Sequence, residues 1–141
     1  MTDKARDRYY QRRFGISLRD YEEMFEDQKG CCGICKRPQA TFKNRLAVDH
    51  DHGFKKIEIK TTKHPVDKMW TAWVEKPANY ACMSVQIKKA DAVRSVKAML
   101  KTKSVRGLLC PFCNRGLRYY ADDPKRLQGA ADYLRRFNCD T

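Results

Sequence analysis

Four cysteines fall in two pairs of matching spacing, Cys32-x-x-Cys35 and Cys110-x-x-Cys113. Two residues between thiols let both sulfurs meet one ion, and a tetrahedral zinc takes four such ligands. A redox role suits a lone CxxC; two matched pairs point instead to structural zinc. Such an ion would clamp an N-terminal knuckle to a C-terminal one and add stability that a small core lacks. Cys31 adjoins the first pair, but ligation through Cys31 and Cys35 would leave three intervening residues. Cys82 and Cys139 have no partner at ligand spacing and read as buried or incidental thiols. The total of seven cysteines is odd and fits a disulfide framework poorly. The opening MTDKARDRYYQRR has no apolar stretch to serve as a secretion signal, so a reducing compartment is expected, where clustered cysteines more often hold metal.

The tetrad Asp49-His50-Asp51-His52 holds two of the three histidines. On a strand, Asp49 and Asp51 would point one way while His50 and His52 point the other. A twist or a strand end would bring Asp49 and His50 together around one substrate. Neutral imidazole can take a proton from water, and a carboxylate can hold a hard divalent cation. The competing readings are a polar loop or a second zinc site. Asn114 directly follows the fourth knuckle cysteine. At a helix start beside the strand, its side-chain oxygen would complete a magnesium site with Asp49; alone, an Asn there is more often a helix cap.

Charge narrows the partner. Thirty Lys and Arg against 17 Asp and Glu leave +13 on 141 residues, which calls for a polyanion, nucleic acid or an anionic membrane surface. No basic amphipathic helix stands out to favour the membrane. The excess is uneven: residues 53–104 hold twelve Lys and Arg against four Asp and Glu, a net +8. No apolar run approaches the roughly 18 residues of a spanning helix. Two Trp, seven Tyr and six Phe argue against disorder. The chain is expected to be soluble, intracellular and folded.

The elements that must position these groups can be read in turn. Residues 3–13 suggest a short helix anchored by Tyr9, Tyr10 and Phe14, broken at Gly15. Ser17, with Asp20 three residues on, reads as the cap of a helix over 18–28 whose apolar stripe is Leu18, Tyr21, Met24 and Phe25. Residues 31–38 form a tight knuckle and 46–52 a short strand. In the block 53–104, Ile57 and Ile59 alternate with charge, Trp70 and Trp73 follow, and 80–87 is strand-like, which suggests a hairpin or small sheet. A helix over 90–100 presents Val93, Val96, Met99 and Leu100. Residues 105–110 read as a strand, with a helix beginning at Asn114. In the closing helix Asp123 caps, Pro124 takes the first position, and Leu127, Ala130, Ala131 and Leu134 make the apolar face.

The order CxxC, L-x-VDHDH, VRGLLCPFCN and a helix ending ADYL resembles the recombination endonuclease VII family, bacteriophage nucleases built on a ββα-metal (His-Me, or HNH-like) finger. The resemblance spans residues 14–52 and 105–135, including the lead-in YEEMFEDQKGCCGIC. It implies an α+β fold: one nuclease domain over 1–141, with a zinc-stabilised finger, flanking helices and a β-rich basic insertion at 53–104. The second half of the finger and the C-terminal helix would occupy 105–141. Cys32, Cys35, Cys110 and Cys113 would hold the structural zinc, and Asp49 and Asn114 a catalytic Mg²⁺ that Mn²⁺ can replace. His50 would be the general base, with His52 auxiliary near the scissile phosphate.

The implied activity is Mg²⁺-dependent hydrolysis of branched DNA such as Holliday junctions, in the cytoplasm of a bacterial host, leaving 5′-phosphate and 3′-hydroxyl ends. The alternatives are an HNH-type nicking or weakly specific endonuclease, and a non-catalytic zinc-containing DNA-binding or regulatory protein. Three features depart from the family pattern. The insertion is long, and reads either as an added DNA-binding flap or as a solvated basic hairpin with its aromatics in a minor core. The chain reaches Thr141 soon after its last helix, whereas junction-resolving relatives use further C-terminal helices as intertwined dimers, so a homodimer stays an open expectation. Arg118 stands where a small residue is expected and would add a phosphate contact.

Overall fold

The computed structural model describes residues 1–137. The fold is mixed α+β. Helix α1 (Asp3–Phe14) stops at Gly15, whose φ of 73° lets its N–H return to the carbonyls of Tyr10 and Gln11. Helix α2 (Leu18–Asp27) starts from the expected box: the Asp20 N–H donates to Ser17 Oγ, and the Ser17 N–H to the Asp20 carboxylate. The two helices pack through stacked Tyr10 and Tyr21 rings, 4.7 Å between centroids. The Tyr21 hydroxyl, fully buried, donates to the Leu46 carbonyl at 2.8 Å.

Strand β1 (Ala47–His50) comes next, three residues shorter than the expected 46–52. A 3-10 turn at His52–Lys56 ends the extended run. The block 53–104 then makes β2 (Lys60–Lys63), β3 (Trp70–Val74), β4 (Cys82–Gln86) and α3 (Lys89–Lys103). The three strands form an antiparallel sheet in chain order, and α3 packs on one face. Strand β5 (Val105–Leu109) returns to pair antiparallel with β1. Helices α4 (Pro111–Tyr119) and α5 (Pro124–Arg135) close the described chain.

Two apolar clusters hold these layers. The first joins Tyr10, Phe14, Ile16, Tyr21, Leu46, Val48, Leu108 and Leu109 to the knuckle sulfurs of Cys32 and Cys110. The second lies inside the insertion: Ala72, Val74 and Tyr80 against Ala92, Val96 and Leu100. Each fully buried Val or Leu there is worth roughly 1.5–3 kcal/mol. The insertion folds as a small sheet with a helix on one face, and its aromatics sit at a minor core of their own, with Tyr80 buried and Trp70 at its edge. It is tied down as well. Thr102 Oγ1 donates to the Gly15 carbonyl, and the Asp51 N–H to the Ser104 carbonyl.

Some expectations shift. Met99 is 40% exposed, because the ridge facing the sheet runs through Ala92, Val96 and Leu100 at spacing four and leaves Met99 on the flank. On α5 the cap and Pro124 stand as expected, but no residue is buried and Leu134 is 57% exposed. Cys82 is half-buried behind the second cluster; Cys139 lies outside the described residues.

Gln28 welds the first layer together. Its side-chain amide donates to the carbonyls of Cys31 and Leu108, both at 2.8 Å, and its oxygen accepts from the Leu108 N–H at 2.7 Å. That approach requires a glycine at 107. Gly107 has φ 150°, and a Cβ there would stand 2.8 Å from Gln28 Oε1. Gly107→Ala is expected to destabilise the fold by about 1–3 kcal/mol, read as a lower denaturation midpoint at unchanged m-value.

Candidate active site

The thiols of Cys32, Cys35, Cys110 and Cys113 lie within 4.8 Å of one another. With Zn–S near 2.3 Å, tetrahedral geometry places sulfurs about 3.8 Å apart; Cys35 Sγ and Cys110 Sγ stand 3.8 Å apart. The donor set fits zinc. Cys31 is excluded by direction, since its thiol turns to the Lys29 carbonyl at 3.3 Å. Backbone amides support the cluster: the Cys110 N–H donates to Cys32 Sγ and the Cys113 N–H to Cys110 Sγ. Within it, the Arg37 backbone N–H lowers Cys35 to about 6, while burial, then the neighbouring thiols, push Cys113 up to about 12. Only a bound cation lets all four ionise together.

Cys110 also sets where α4 begins. It is the N-cap and Pro111 takes the first helical position, so the helix starts three residues before Asn114. Asn114 therefore sits at the end of the first turn, its N–H bonded to the Cys110 carbonyl, and is no cap. From there it reaches a cleft of about 850 Å³, which is also lined by Asp49, His50 and His52. Arg13, Arg45, Arg115 and Arg118 complete the cationic wall, with Tyr9 and Asp122 beside them.

A β-bulge organises this floor. Asp49 pairs with Gly107 and His50 with Val105, so Arg106 has no partner across the ladder. Bulges re-aim side chains. Here the Arg106 guanidinium grips the Asp49 carboxylate through two bonds, Nε to Oδ2 at 2.7 Å and Nη2 to Oδ1 at 3.0 Å, and approaches Asp122 at 3.3 Å. Asp49 is only 7% exposed. Each carboxylate oxygen keeps a second lone-pair site, and Asp49 and Asn114 both line the cleft.

The two histidines of the tetrad lie side by side, although His52 is beyond the strand in the 3-10 turn. Their ring centroids are 4.5 Å apart, and Phe14 meets His50 edge-on at 5.3 Å. Burial, then the neighbouring His52 and the Arg13 and Lys55 cations, hold the His50 pKa below its usual value despite the opposing pull of Asp49. The imidazole is thus neutral near pH 7 and able to accept a proton. Asp51 turns away from the cleft. It accepts from the Tyr80 hydroxyl at 2.8 Å and from the Gly53 N–H at 2.7 Å, which fastens the tetrad to the insertion.

The model of the recombination endonuclease VII family matches residues 7–136. The chain belongs to the recombination endonuclease VII family. The bounds of the match enclose residues 53–104. The Gene 59 protein of Mycobacterium phage D29 is 30% identical over 124 residues, covering 87% of this chain and 46% of that protein. The chain thus spans about half the length of this relative. No solved structure matches significantly. No helix among the described residues is long and apolar enough to cross a membrane.

Sequence spacing does not single out Arg106, Asp122 or Gln28. Arg106 stood beside a glycine in a strand, the usual mark of a bulge, and that was the available signal. Arg106→Leu would strand a buried carboxylate at Asp49, with an expected loss of about 1–3 kcal/mol in chemical denaturation. Arg106→Lys, which restores the charge without the two-pronged grip, should recover part of it.

Proposed function

We propose that this chain is a metal-dependent DNA endonuclease, with β1, β5 and α4 acting as a ββα-metal finger inside one nuclease domain. The observation that carries this reading is the convergence of Asp49, His50, His52 and Asn114 on one arginine-walled cleft in a family named for an endonuclease. His50, neutral and facing the cleft, takes the proton from a water attacking phosphorus in line. Arg13, Arg45, Arg115 and Arg118 hold the phosphates, and His52 stands beside His50 to orient the scissile group. Asp49 and Asn114 would hold the Mg²⁺, or Mn²⁺ in its place. When bound, the ion supplies positive charge for the phosphate and the departing 3′ oxygen.

The products would carry 5′-phosphate and 3′-hydroxyl ends. The +13 charge supplies affinity for DNA that falls steeply with salt. The family's description supports a recombination role, with branched DNA, the Holliday junction above all, as the proposed substrate, and the likeness to a mycobacteriophage protein supports a phage role in the host cytoplasm. The exposed Tyr133, Leu134 and Phe137 on and after α5 form a face that a second copy would cover.

The test is cleavage of a labelled four-way junction and a linear duplex of equal length, each with Mg²⁺ and with EDTA. Metal-dependent cuts near the branch point with the duplex spared are expected. Equal cutting of both would leave the chemistry and remove the junction preference. Binding without cutting in Mg²⁺ or Mn²⁺ would overturn the reading in favour of a non-catalytic DNA-binding protein.

A further inference from the structure

We infer that a second groove beside the catalytic cleft carries the DNA backbone flanking the scissile phosphate, an inference that rests on the reading of the cleft as the place of hydrolysis. The groove has a volume of about 520 Å³ and lies between the end of α2 and residues 38–45. Lys29, Lys43 and Arg45 line it, together with Asn44, Phe25 and Phe42. No carboxylate is among its lining residues, although α2 carries Glu22, Glu23, Glu26 and Asp27 on its exposed surface. Asn44 and Arg45 line both this groove and the cleft that holds His50, so the two adjoin along these residues.

The lining suits a sugar-phosphate strand. Three cations meet phosphates, and the Phe25 and Phe42 rings give an apolar floor for deoxyribose. The floor and the junction between the grooves are held in place. Arg45 lies over the Tyr21 ring at 4.6 Å, and Tyr21 is fully buried. Phe42 sits 6.4 Å from the Phe112 ring, with the Arg37 guanidinium over it at 5.7 Å. Lys29 and Lys43 are exposed at the rim, free to reach a passing strand. The groove is open and buries no charged side chain, unlike a pocket for a small anion. A polymer that also enters the cleft is the occupant it fits.

The test measures binding of a fluorescein-labelled 20-base-pair duplex and a labelled four-way junction by anisotropy, across a salt series in EDTA. The protein carries His50→Ala so that the DNA stays whole. Adding Lys29→Ala and Lys43→Ala should weaken binding about tenfold or more and reduce the slope of log K against log salt by about 1.8, the value for two lost phosphate contacts. Lys97→Ala with Lys103→Ala on α3 removes the same charge elsewhere and should change the slope by less. An unchanged slope, or an equal change in both double variants, would overturn the groove. In a chain with His50 intact, Lys29→Ala and Lys43→Ala should raise KM at least fivefold while kcat stays within about twofold; a fall confined to kcat would also overturn it. If the unmodified chain cuts nothing, the reading of the cleft fails, and the salt slopes still decide the groove.

Discussion

Replacing His50 with alanine is expected to slow DNA cleavage by about 10²–10⁴-fold, the usual contribution of a positioned general base. The fold should survive the change. His50 is only half-buried, ends β1, and makes its side-chain contacts to Phe14 and His52 at the cleft wall. Zinc content should stay at one ion per chain, because the ligand cluster draws nothing from the tetrad. His52→Ala should cost less, since that residue lies beyond the strand in the 3-10 turn and supports a neighbour. Single-turnover rates on one labelled substrate, with melting curves for each variant, check both. A His50→Ala chain that cuts at the unmodified rate would remove His50 as base.

The second large effect concerns zinc. Cys110→Ser should abolish one-to-one zinc binding and unfold the chain at ordinary temperature. Cys110 is fully buried, supplies one of four clustered sulfurs, caps α4 and touches Cys32 through its backbone N–H. A structural zinc contributes on the order of 10 kcal/mol at neutral pH, which matches the entire stability of a small domain. Losing it frees the 31–38 knuckle from β5 and α4, and the cleft walls with them. Cys31→Ser and Cys82→Ser are the controls, because neither thiol joins the cluster. Metal analysis and circular dichroism melts separate the cases. Full zinc occupancy in Cys110→Ser would contradict the assignment.

How far the sequence could be read depended on the range of each interaction. The knuckles were legible because ligand spacing is local: two residues between thiols say the same thing wherever the halves lie. The Ser17–Asp20 box and the Asp123–Pro124 start were legible for the same reason. The clamp on Asp49 was not, because Arg106 is 57 residues away and meets it only through a bulge that forms when β1 and β5 pair. The same bulge and the turn at His52 cut short a strand that alternation alone would run to residue 52. The start of α4 was misplaced because a cysteine is rarely a cap; the thiol serves as one here beside its metal-binding role. Met99 was assigned inward because helical spacing marks a broad stripe, and only the partner sheet selects the ridge Ala92, Val96, Leu100. Asp49, His50, His52 and Asn114 were each proposed from residue type and resemblance; that they face one cleft needed the tertiary fold.

The most direct measurement of the central claim uses supercoiled plasmid whose inverted repeat is extruded as a four-way junction, incubated with the chain in Mg²⁺ and then treated with DNA ligase. Base-activated water attack with departure of the 3′ oxygen leaves 5′-phosphate and 3′-hydroxyl ends, which ligase reseals. The expected result is nicked circles that form with Mg²⁺, fail to form with EDTA, and return to closed circles under ligase. Nicks that resist ligase, or plasmid left intact in Mg²⁺ and Mn²⁺ alike, would contradict hydrolysis at the His50 cleft.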